Sequence, residues 1–226
     1  MQGAVWRVSL ATINPQRLAQ AEVMLDEAER ERLAAIKHPQ RRKAFIVGRT
    51  LARCAYLHCY PDADKPLEMI EGPYGRPELR VVQPFDFNLS HAGDWCVCAF
   101  STQARVGVDL EKHRLGRDIN GIAQYCFHDD EQLLMDRAEG SQQCFYQLWV
   151  LKEALLKMLG LGLRIPLQQV CFTLQQGQWR YCGEQPAAVA LIKLEQWEDY
   201  QLAVLSDQPD VIQLPSIELN MESVLG

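Results

Sequence analysis

Apolar residues recur along the chain first with helical spacing and then in short stretches typical of β-strands, and this order occurs twice. The predicted helices lie near 16–36, 39–60, 118–126, 130–139 and 142–160. The predicted strands lie near 6–11, 79–82, 85–90, 95–100, 105–111, 168–174, 178–182, 187–194 and 200–206. The repeat suggests a duplicated α+β architecture with a midpoint near residue 113, although the two halves share no strong sequence identity.

The predicted elements are joined by short connections. Residues 101–104 are few enough for a hairpin between the strands at 95–100 and 105–111. The loop 72–77, Gly-Pro-Tyr-Gly-Arg-Pro, has the composition of a turn. The tail from Pro209 is expected to be loosely attached.

The composition is that of a soluble globular protein, with 48% hydrophobic and 23% charged residues among 226. No run of about 18 apolar residues is present, so we expect no membrane-spanning helix. The N-terminus lacks the basic start and apolar core of a signal peptide. The eight cysteines form no CxxC pair, which favours reduced thiols and a cytoplasmic protein.

Positive charge is concentrated in one segment of a chain whose net charge is -6. Between Arg30 and Arg53 stand eight Lys or Arg and one acid. Such a patch on an acidic protein favours a local anionic ligand over a long nucleic acid. Within it, Arg42, Arg49 and Arg53 share one stripe of the predicted helix. A solvated helix face is the alternative interpretation.

Two carboxylates lie on one face of the strand predicted over 105–111. Because side chains alternate along a strand, Gly107, Asp109 and Glu111 point the same way, with the two acids roughly 7 Å apart. A divalent cation such as Mg²⁺ would relieve their repulsion, and Gly107 would keep that face open. Two surface acids on an exposed strand are the alternative.

The helix predicted over 142–160 carries Trp149, Glu153 and Lys157 at intervals of four, so these side chains stack along one face. A Glu four residues before a Lys is an ordinary stabilising pair. The functional interpretation is a site in which the carboxylate accepts a proton and the lysine meets a phosphate.

A third segment, Asn88-Leu89-Ser90-His91, ends the strand near 85–90. Ser90 and His91 are adjacent and point to opposite faces, which excludes a Ser–His nucleophilic pair between them. His91 is then a phosphate or leaving-group contact, or else a turn histidine. No P-loop, GxGxxG, GxSxG, HExxH or zinc-ligand spacing occurs.

In order and spacing, these segments resemble the 4′-phosphopantetheinyl transferases of the long, surfactin-synthetase-activating type. The resemblance covers the whole chain and implies a pseudo-two-fold pair of similar α+β halves, predicted as 1–112 and 113–226, with the active site in the cleft between them. The matching pieces are Asn88-Leu89-Ser90-His91, Gly107-Val108-Asp109-Leu110-Glu111, Trp149-Val150-Leu151-Lys152-Glu153-Ala154 with Lys157, and Tyr74-Gly75-Arg76-Pro77.

The resemblance also implies a reaction. The phosphopantetheine arm of coenzyme A moves onto a serine of an apo carrier protein, acyl or peptidyl, with adenosine 3′,5′-bisphosphate as the leaving group and Mg²⁺ as the cofactor. The expected partners are coenzyme A and the carrier, which docks near 112–130, with no nucleic acid or membrane. A monomer is expected because one chain supplies both halves. The alternative is a non-catalytic module that binds coenzyme A or a carrier.

The resemblance assigns roles to individual residues. Mg²⁺ is bound by Asp109, Glu111 and Glu153, and Glu153 takes the proton of the carrier serine, directly or through water. Lys157 stabilises or protonates the departing phosphate, and His91 completes the catalytic set. The expected coenzyme A contacts are Ser90, His91, Lys157, Arg49, Arg76 and Arg53, with an internal salt bridge as the alternative for Arg53.

Overall fold

The structure, a computed structural model, describes residues 2–64, 66–183, 188–209 and 215–225. The strands in these ranges are β1 (Gly3–Ser9), β2 (Met69–Glu71), β3 (Pro77–Leu79), β4 (Asp86–Ala92), β5 (Trp95–Ser101), β6 (Val106–Lys112), β7 (Phe172–Gln175), β8 (Gln178–Tyr181), β9 (Leu191–Trp197), β10 (Tyr200–Ser206) and β11 (Ser216–Leu219). The α-helices are α1 (Pro15–Val23), α2 (Glu27–Ala35), α3 (Pro39–Cys59), α4 (Ile119–Cys126), α5 (Asp129–Arg137), α6 (Ser141–Leu159) and α7 (Met221–Leu225).

Two sheets, each covered by one long helix, form the body of the molecule. The first has the strand order β11-β1-β5-β4 and the second β6-β10-β9. Helix α3 packs against β4 and β5, and α6 packs against β6 and β10. Each helix and its sheet enclose a separate apolar core. The prediction of an α+β fold with two similar halves is confirmed.

The helix predicted over 16–36 is in fact two helices. Asp26 accepts a hydrogen bond from the Glu29 backbone N–H at 2.9 Å, and the Glu29 carboxylate accepts one from the Asp26 N–H at 3.0 Å. This reciprocal cap satisfies two N–H groups that a helix start leaves unpaired, so a new helix begins here. The next predicted helix agrees with α3, which begins at Pro39, where the fixed φ of proline suits a first turn.

The predicted hairpin at 101–104 is wrong, because β5 and β6 belong to different sheets. Strand β5 pairs with β4 in antiparallel register, and β6 pairs with β10. The short connection is therefore the point at which the chain crosses from one sheet to the other. The short spacing between the two strands predicted that they pair with each other. The strands themselves are present, but each pairs with other strands.

Polar side chains of β4 join the two sheets. Three alternate residues of the strand each supply one acceptor to a backbone N–H of β6. The pairs are Asp86 with Val106, Asn88 with Val108 and Ser90 with Leu110, at 2.7, 3.0 and 3.2 Å. These side chains replace the ladder bonds that a neighbouring strand would make, so the N–H groups of β6 are satisfied on this side. The arrangement also carries Ser90 to the edge of β6.

The predicted division at residue 112 differs from the way the strands are shared between the sheets. Strand β6 ends at Lys112 and lies in the second sheet, whereas β11, near the C-terminus, pairs in parallel with β1 in the first. Residues 215–225 are therefore not a loose tail, and α7 packs against α1 and α3. The tail residues 210–214 lie outside the described residues.

Gly107 lets α6 approach β6 closely. A Cβ added at this position would overlap the carbonyl oxygen of Ala154 and lie 2.7 Å from the Cβ of Met158. The expectation that Gly107 keeps an open face is therefore wrong, because the helix backbone fills the space. This contact sets the distance between α6 and β6, and so the distance of Glu153 and Lys157 from the acidic residues of β6.

We expect Gly107→Ala to lower the free energy of unfolding by about 1–3 kcal/mol, because the added methyl group forces strand and helix apart. Urea unfolding measures the change. The matched control is Gly140→Ala, where the added Cβ would meet only Gln143, at an ordinary 3.7 Å. Equal effects of the two substitutions would show that the close approach at Gly107 is not the cause.

Candidate active site between the two sheets

The side chains of Ser90, Asp109 and Lys157 meet where β4, β6 and α6 come together. Lys157 Nζ donates hydrogen bonds to Asp109 Oδ1 at 2.7 Å and to Ser90 Oγ at 2.9 Å. Ser90 Oγ in turn donates to Asp109 Oδ1 at 3.0 Å. Ser90 and Asp109 are buried. The fold thus brings together one residue from each of the three segments that the sequence singled out.

Two further carboxylates, Glu111 and Glu153, lie near Asp109. Burial raises the pKa of Glu153, and the negative charge of Asp109 raises it further, while Lys157 lowers it. Burial also raises the pKa of Glu111, again with a contribution from Asp109. The three carboxylates therefore lie within electrostatic reach of one another, and their shared negative charge attracts a cation.

Glu111 is held by two neighbours. Trp149 Nε1 donates a hydrogen bond to Glu111 Oε1 at 3.3 Å, and a guanidinium nitrogen of Arg117 lies 3.5 Å from Oε2. Trp149 is one turn of α6 away from Glu153, so the four-residue spacing of this helix does present a single face to β6. That face carries the orienting tryptophan, the candidate base and the lysine.

The cluster fits a hard cation in the kind of donor it offers. Its donors are carboxylate oxygens, which Mg²⁺ prefers. Asp109 Oδ2 is buried and has no hydrogen-bond partner among the described residues. Within the same residues, however, no three His, Cys, Asp or Glu side chains are grouped closely enough to hold a metal ion. The lysine Nζ now occupies the place beside Asp109 Oδ1.

A cavity of about 770 Å³ opens beside this cluster, between α3 and β4. Ser90 lines the cavity and also belongs to the cluster, so the two are continuous. Part of the wall is apolar, with Ile36, Phe45 and Leu89. The rest carries positive or titratable side chains, which are Lys37, His38, Arg41, Arg49 and His91.

His91 is exposed on the wall of this cavity. Partial burial of the ring lowers the pKa of His91, and the charges of Lys157 and Arg41 lower it further, against the effect of Asp109. The neutral ring is therefore favoured near neutral pH, and it retains one N–H that can donate a hydrogen bond to an anion.

Arg49 presents a partly unpaired guanidinium to the cavity. Its Nε lies 3.6 Å from Glu29 Oε1, whereas Nη1 is buried with no hydrogen-bond partner among the described residues. Burial lowers the pKa of Arg49 to about 10, which leaves it charged at neutral pH. A buried charged donor without a partner is costly, so this nitrogen favours an anionic acceptor in the cavity.

The structure does not support Arg53 as a ligand contact. Its side chain is 3% exposed, and it donates to both oxygens of Glu29, to Asp26 Oδ2 and to the carbonyl of Leu67. The internal salt bridge, which the sequence left as the alternative, is the arrangement observed. Arg53 fastens α2 to α3.

Arg76 is likewise committed to internal contacts. Its terminal nitrogens donate to the two oxygens of Asp86 at 2.9 and 2.8 Å, and also to the carbonyl of Val106. Its Nε donates to the carbonyl of Lys157 at 3.0 Å. The prediction of a coenzyme A contact is therefore not supported, and the residue instead clamps the loop 72–77 to β4, β6 and α6.

Four charged, titratable or aromatic cavity residues, Lys37, His38, Arg41 and Phe45, were not among the ligand contacts expected from the sequence. The last two recur with Arg49 at intervals of four along α3, so they share a face of that helix. The stripe that we expected to bind the ligand contains Arg42, which donates to the carbonyl of Leu33 instead. A search for mixed basic and aromatic side chains along one face would have found the stripe that lines the cavity.

No helix in the ranges that the structure describes is both long and apolar enough to cross a membrane.

Two family models match the chain, one for each half. The model described as the 4′-phosphopantetheinyl transferase superfamily matches residues 105–205. The model described as 4′-phosphopantetheinyl transferase, N-terminal, matches residues 12–103. The matches meet at the connection between β5 and β6, where the chain crosses between the sheets.

Individual relatives extend over most of the chain. A 4′-phosphopantetheinyl transferase of Bacillus subtilis is 28% identical over 188 residues, which are 80% of this chain and 82% of that protein. A phosphopantetheinyl transferase of Thraustochytrium sp. is 28% identical over 222 residues, 91% of this chain and 74% of that protein. One of Bacillus pumilus is 36% identical over 141 residues, 60% of this chain and 58% of that protein. With both halves matched by models of one superfamily, the chain belongs to the 4′-phosphopantetheinyl transferases, in the type that carries both halves in one polypeptide.

Proposed function

We propose that the protein transfers the 4′-phosphopantetheine group of coenzyme A to a serine hydroxyl of an apo carrier protein, with adenosine 3′,5′-bisphosphate as the leaving group. The observation that carries the proposal is the continuity between the basic cavity and the Ser90–Asp109–Lys157 cluster. A phosphate-rich ligand in the cavity would present its pyrophosphate to that cluster. Positioning and charge neutralisation supply most of the catalysis of phosphoryl transfer, and this arrangement offers both.

The cavity has the chemistry for coenzyme A. Arg49, Arg41 and Lys37 supply positive charge for its phosphates, and the unpaired nitrogen of Arg49 is a donor suited to a phosphate oxygen. Phe45 and Ile36 add apolar surface for the adenine ring. Lys37, Arg41, Phe45 and Ile36 thus join Arg49 as candidates for holding the nucleotide, in place of Arg53 and Arg76.

We assign the magnesium ion to Asp109, Glu111 and Glu153, whose side chains would have to move closer together to hold it. The assignment is supported by the oxygen donors, by the raised pKa values of the two glutamates and by the unpaired oxygen of Asp109. When bound, the ion would neutralise negative charge on the pyrophosphate. Lys157 now donates to Asp109 Oδ1. With a cation bound at that carboxylate, the Lys157 ammonium group would be free to meet a phosphate.

Glu153 and Lys157 have the chemistry for the transfer itself. The raised pKa of Glu153 brings its carboxylate closer to the range in which a general base works near neutral pH. Lys157 stands one helical turn further along α6, where its positive charge can stabilise the departing phosphate. His91, on the cavity wall, is placed to contact the same phosphates.

The segment between β6 and α4 and the exposed face of α4 suit a carrier protein. Leu115 is 99% exposed and Tyr125 82% exposed, and Arg114 is also exposed. An apolar contact beside a positive charge suits an acidic partner, whose approach the charge would steer. Arg117 is not part of this surface, because it lies against Glu111 and over the rings of Phe145 and Trp149.

We expect Arg49→Ala to weaken coenzyme A binding about 10- to 100-fold, which corresponds to the loss of one charged hydrogen bond. The fold should persist, because Glu29 keeps Arg53 as its partner. Isothermal titration calorimetry measures the affinity. The matched control is Arg80→Ala, which removes only an exposed pair with Glu68 and should leave the affinity unchanged. Unchanged binding in Arg49→Ala would remove Arg49 from the site.

Intact-mass spectrometry of an apo carrier protein tests the reaction. With the protein, coenzyme A and Mg²⁺, the carrier should gain the mass of one phosphopantetheine, and EDTA should abolish the gain. A panel of acyl and peptidyl carriers identifies the class that is accepted. No gain on any carrier, with coenzyme A binding intact, would favour the non-catalytic binding module.

A further inference from the structure

Two cysteines face each other at the open end of a β-hairpin in the second half. Strands β7 and β8 pair in antiparallel register, with Phe172 opposite Tyr181. Cys171 precedes the first strand of this pair and Cys182 follows the second. Their Sγ atoms lie 3.1 Å apart, closer than two thiols that merely share a core would need to be.

The backbone around the two cysteines is already arranged for a cross-strand bond. The N–H of Cys182 donates to the carbonyl of Cys171 at 2.8 Å, which extends the hairpin ladder by one pair. Directly opposite residues in such a hydrogen-bonded pair have Cα atoms about 5.5 Å apart, within the range that disulfides span. Gly183, which follows Cys182, lets the backbone pass close to the carbonyl oxygen of Gln169, since a Cβ at this position would lie 2.6 Å from that oxygen.

The two thiols differ in access to solvent. Cys171 is 5% exposed, whereas Cys182 is exposed. Burial raises the pKa of Cys171 well above its usual range, with the hydrogen bond to Cys182 and the charge of Glu131 adding to the effect and Lys152 opposing it. Since the thiolate is the reactive form, an oxidant in solution reaches and reacts with Cys182 first.

We propose that Cys171 and Cys182 are a reversible dithiol–disulfide pair, oxidised by a small disulfide of the glutathione class. In the first step the Cys182 thiolate attacks the oxidant, forms a mixed disulfide and releases one glutathione thiolate. Cys171 then loses its proton and attacks the Cys182 sulfur, which expels the second glutathione thiolate. In sum, two protein thiols are oxidised to one disulfide and one glutathione disulfide is reduced to two thiols.

The disulfide would close the hairpin at a point that anchors the catalytic helix. The carbonyl of Val170 accepts a hydrogen bond from Lys152 on α6, and the N–H of Phe172 donates to Glu131 at 2.9 Å. Both groups are immediate neighbours of Cys171. Oxidation would therefore tie β8 covalently to the segment on which α5 and α6 are fastened, and we expect it to raise the melting temperature by a few degrees.

Mass spectrometry of the folded protein in a glutathione redox buffer tests the pair. Most chains should lose the mass of two hydrogens, and digestion without a reductant should yield the peptide of Cys171 linked to that of Cys182. Dithiothreitol should reverse both changes. The melting temperature should rise on oxidation of the native sequence and fall back on reduction.

Two variants sharpen the result. Cys182→Ser, at an exposed position, should abolish the cross-link and the rise in melting temperature while leaving the reduced fold intact. The matched control Cys59→Ser, on α3 in the first half, should retain both. The proposal is overturned if the mixed disulfide at Cys182 persists without closing, or if the cross-link forms only in urea.

Discussion

Replacing Glu153 by Gln is expected to lower the rate of phosphopantetheine transfer by about 10²- to 10⁴-fold, the range typical for loss of a general base. The amide keeps the volume of the side chain and cannot accept the serine proton. The amide would also be a weaker ligand for the cation that we propose Glu153 shares with Asp109 and Glu111. Because Glu153 lies in the carboxylate cluster and not among the residues lining the basic cavity, the affinity for coenzyme A should change only a few-fold.

The rate is measured as modified carrier per unit time by intact mass, with saturating coenzyme A. The matched control is Glu139→Gln, the same substitution at an exposed position in the turn before α6. It should leave the rate unchanged. A Glu153→Gln variant that works at the normal rate would exclude Glu153 as the base.

Replacing Lys152 by Met is expected to lower the free energy of unfolding by about 3–5 kcal/mol, because it leaves a buried carboxylate without its partner. Lys152 is 1% exposed and Glu131 is 0% exposed. The lysine donates to Glu131 Oε2 and to the carbonyl of Val170. Burial lowers the pKa of Lys152 and raises that of Glu131, and the attraction between the two charges opposes both shifts.

A double-mutant cycle with Glu131→Gln separates the contribution of the Lys152–Glu131 ion pair from that of side-chain packing. If the ion pair is the cause, the double variant should be more stable than the sum of the two single losses implies, because no unpaired charge remains. Lys112→Met serves as the control, since this lysine makes an exposed pair with Asp199 and should change stability by less than about 1 kcal/mol. Additive losses in the cycle would show that the ion pair itself contributes little.

The role of Lys152 illustrates what the sequence could and could not predict. Strand alternation placed Asp109 and Glu111 on one face of the strand, and helical spacing placed Glu153 and Lys157 on one face of the helix. Both placements agree with the structure. The same spacing shows that Lys152 points away from that face. It does not reveal the partner, because Glu131 lies on a different helix, and its proximity depends on how α5 packs against α6.

The partners of the arginines could not be predicted either, because they too lie on other elements of the fold. Arg49 and Arg53 are one turn apart on a helix that is buried on several sides, so both looked equally suited to a ligand. The deciding residue is Glu29, whose place beside α3 follows from the cap that starts α2. Likewise, the spacing of 101–104 carried no information on which sheet would receive β6. Pairings between distant segments are set by tertiary packing, which local periodicity does not encode.

The most direct test of the account is a multiple-turnover measurement with the apo carrier in large molar excess over the protein, in the presence of coenzyme A and Mg²⁺. We predict that many carrier molecules per protein chain gain a phosphopantetheine and that an equal amount of adenosine 3′,5′-bisphosphate is released. A carrier that stays unmodified while coenzyme A remains bound to the protein would contradict the claim that this site catalyses the transfer.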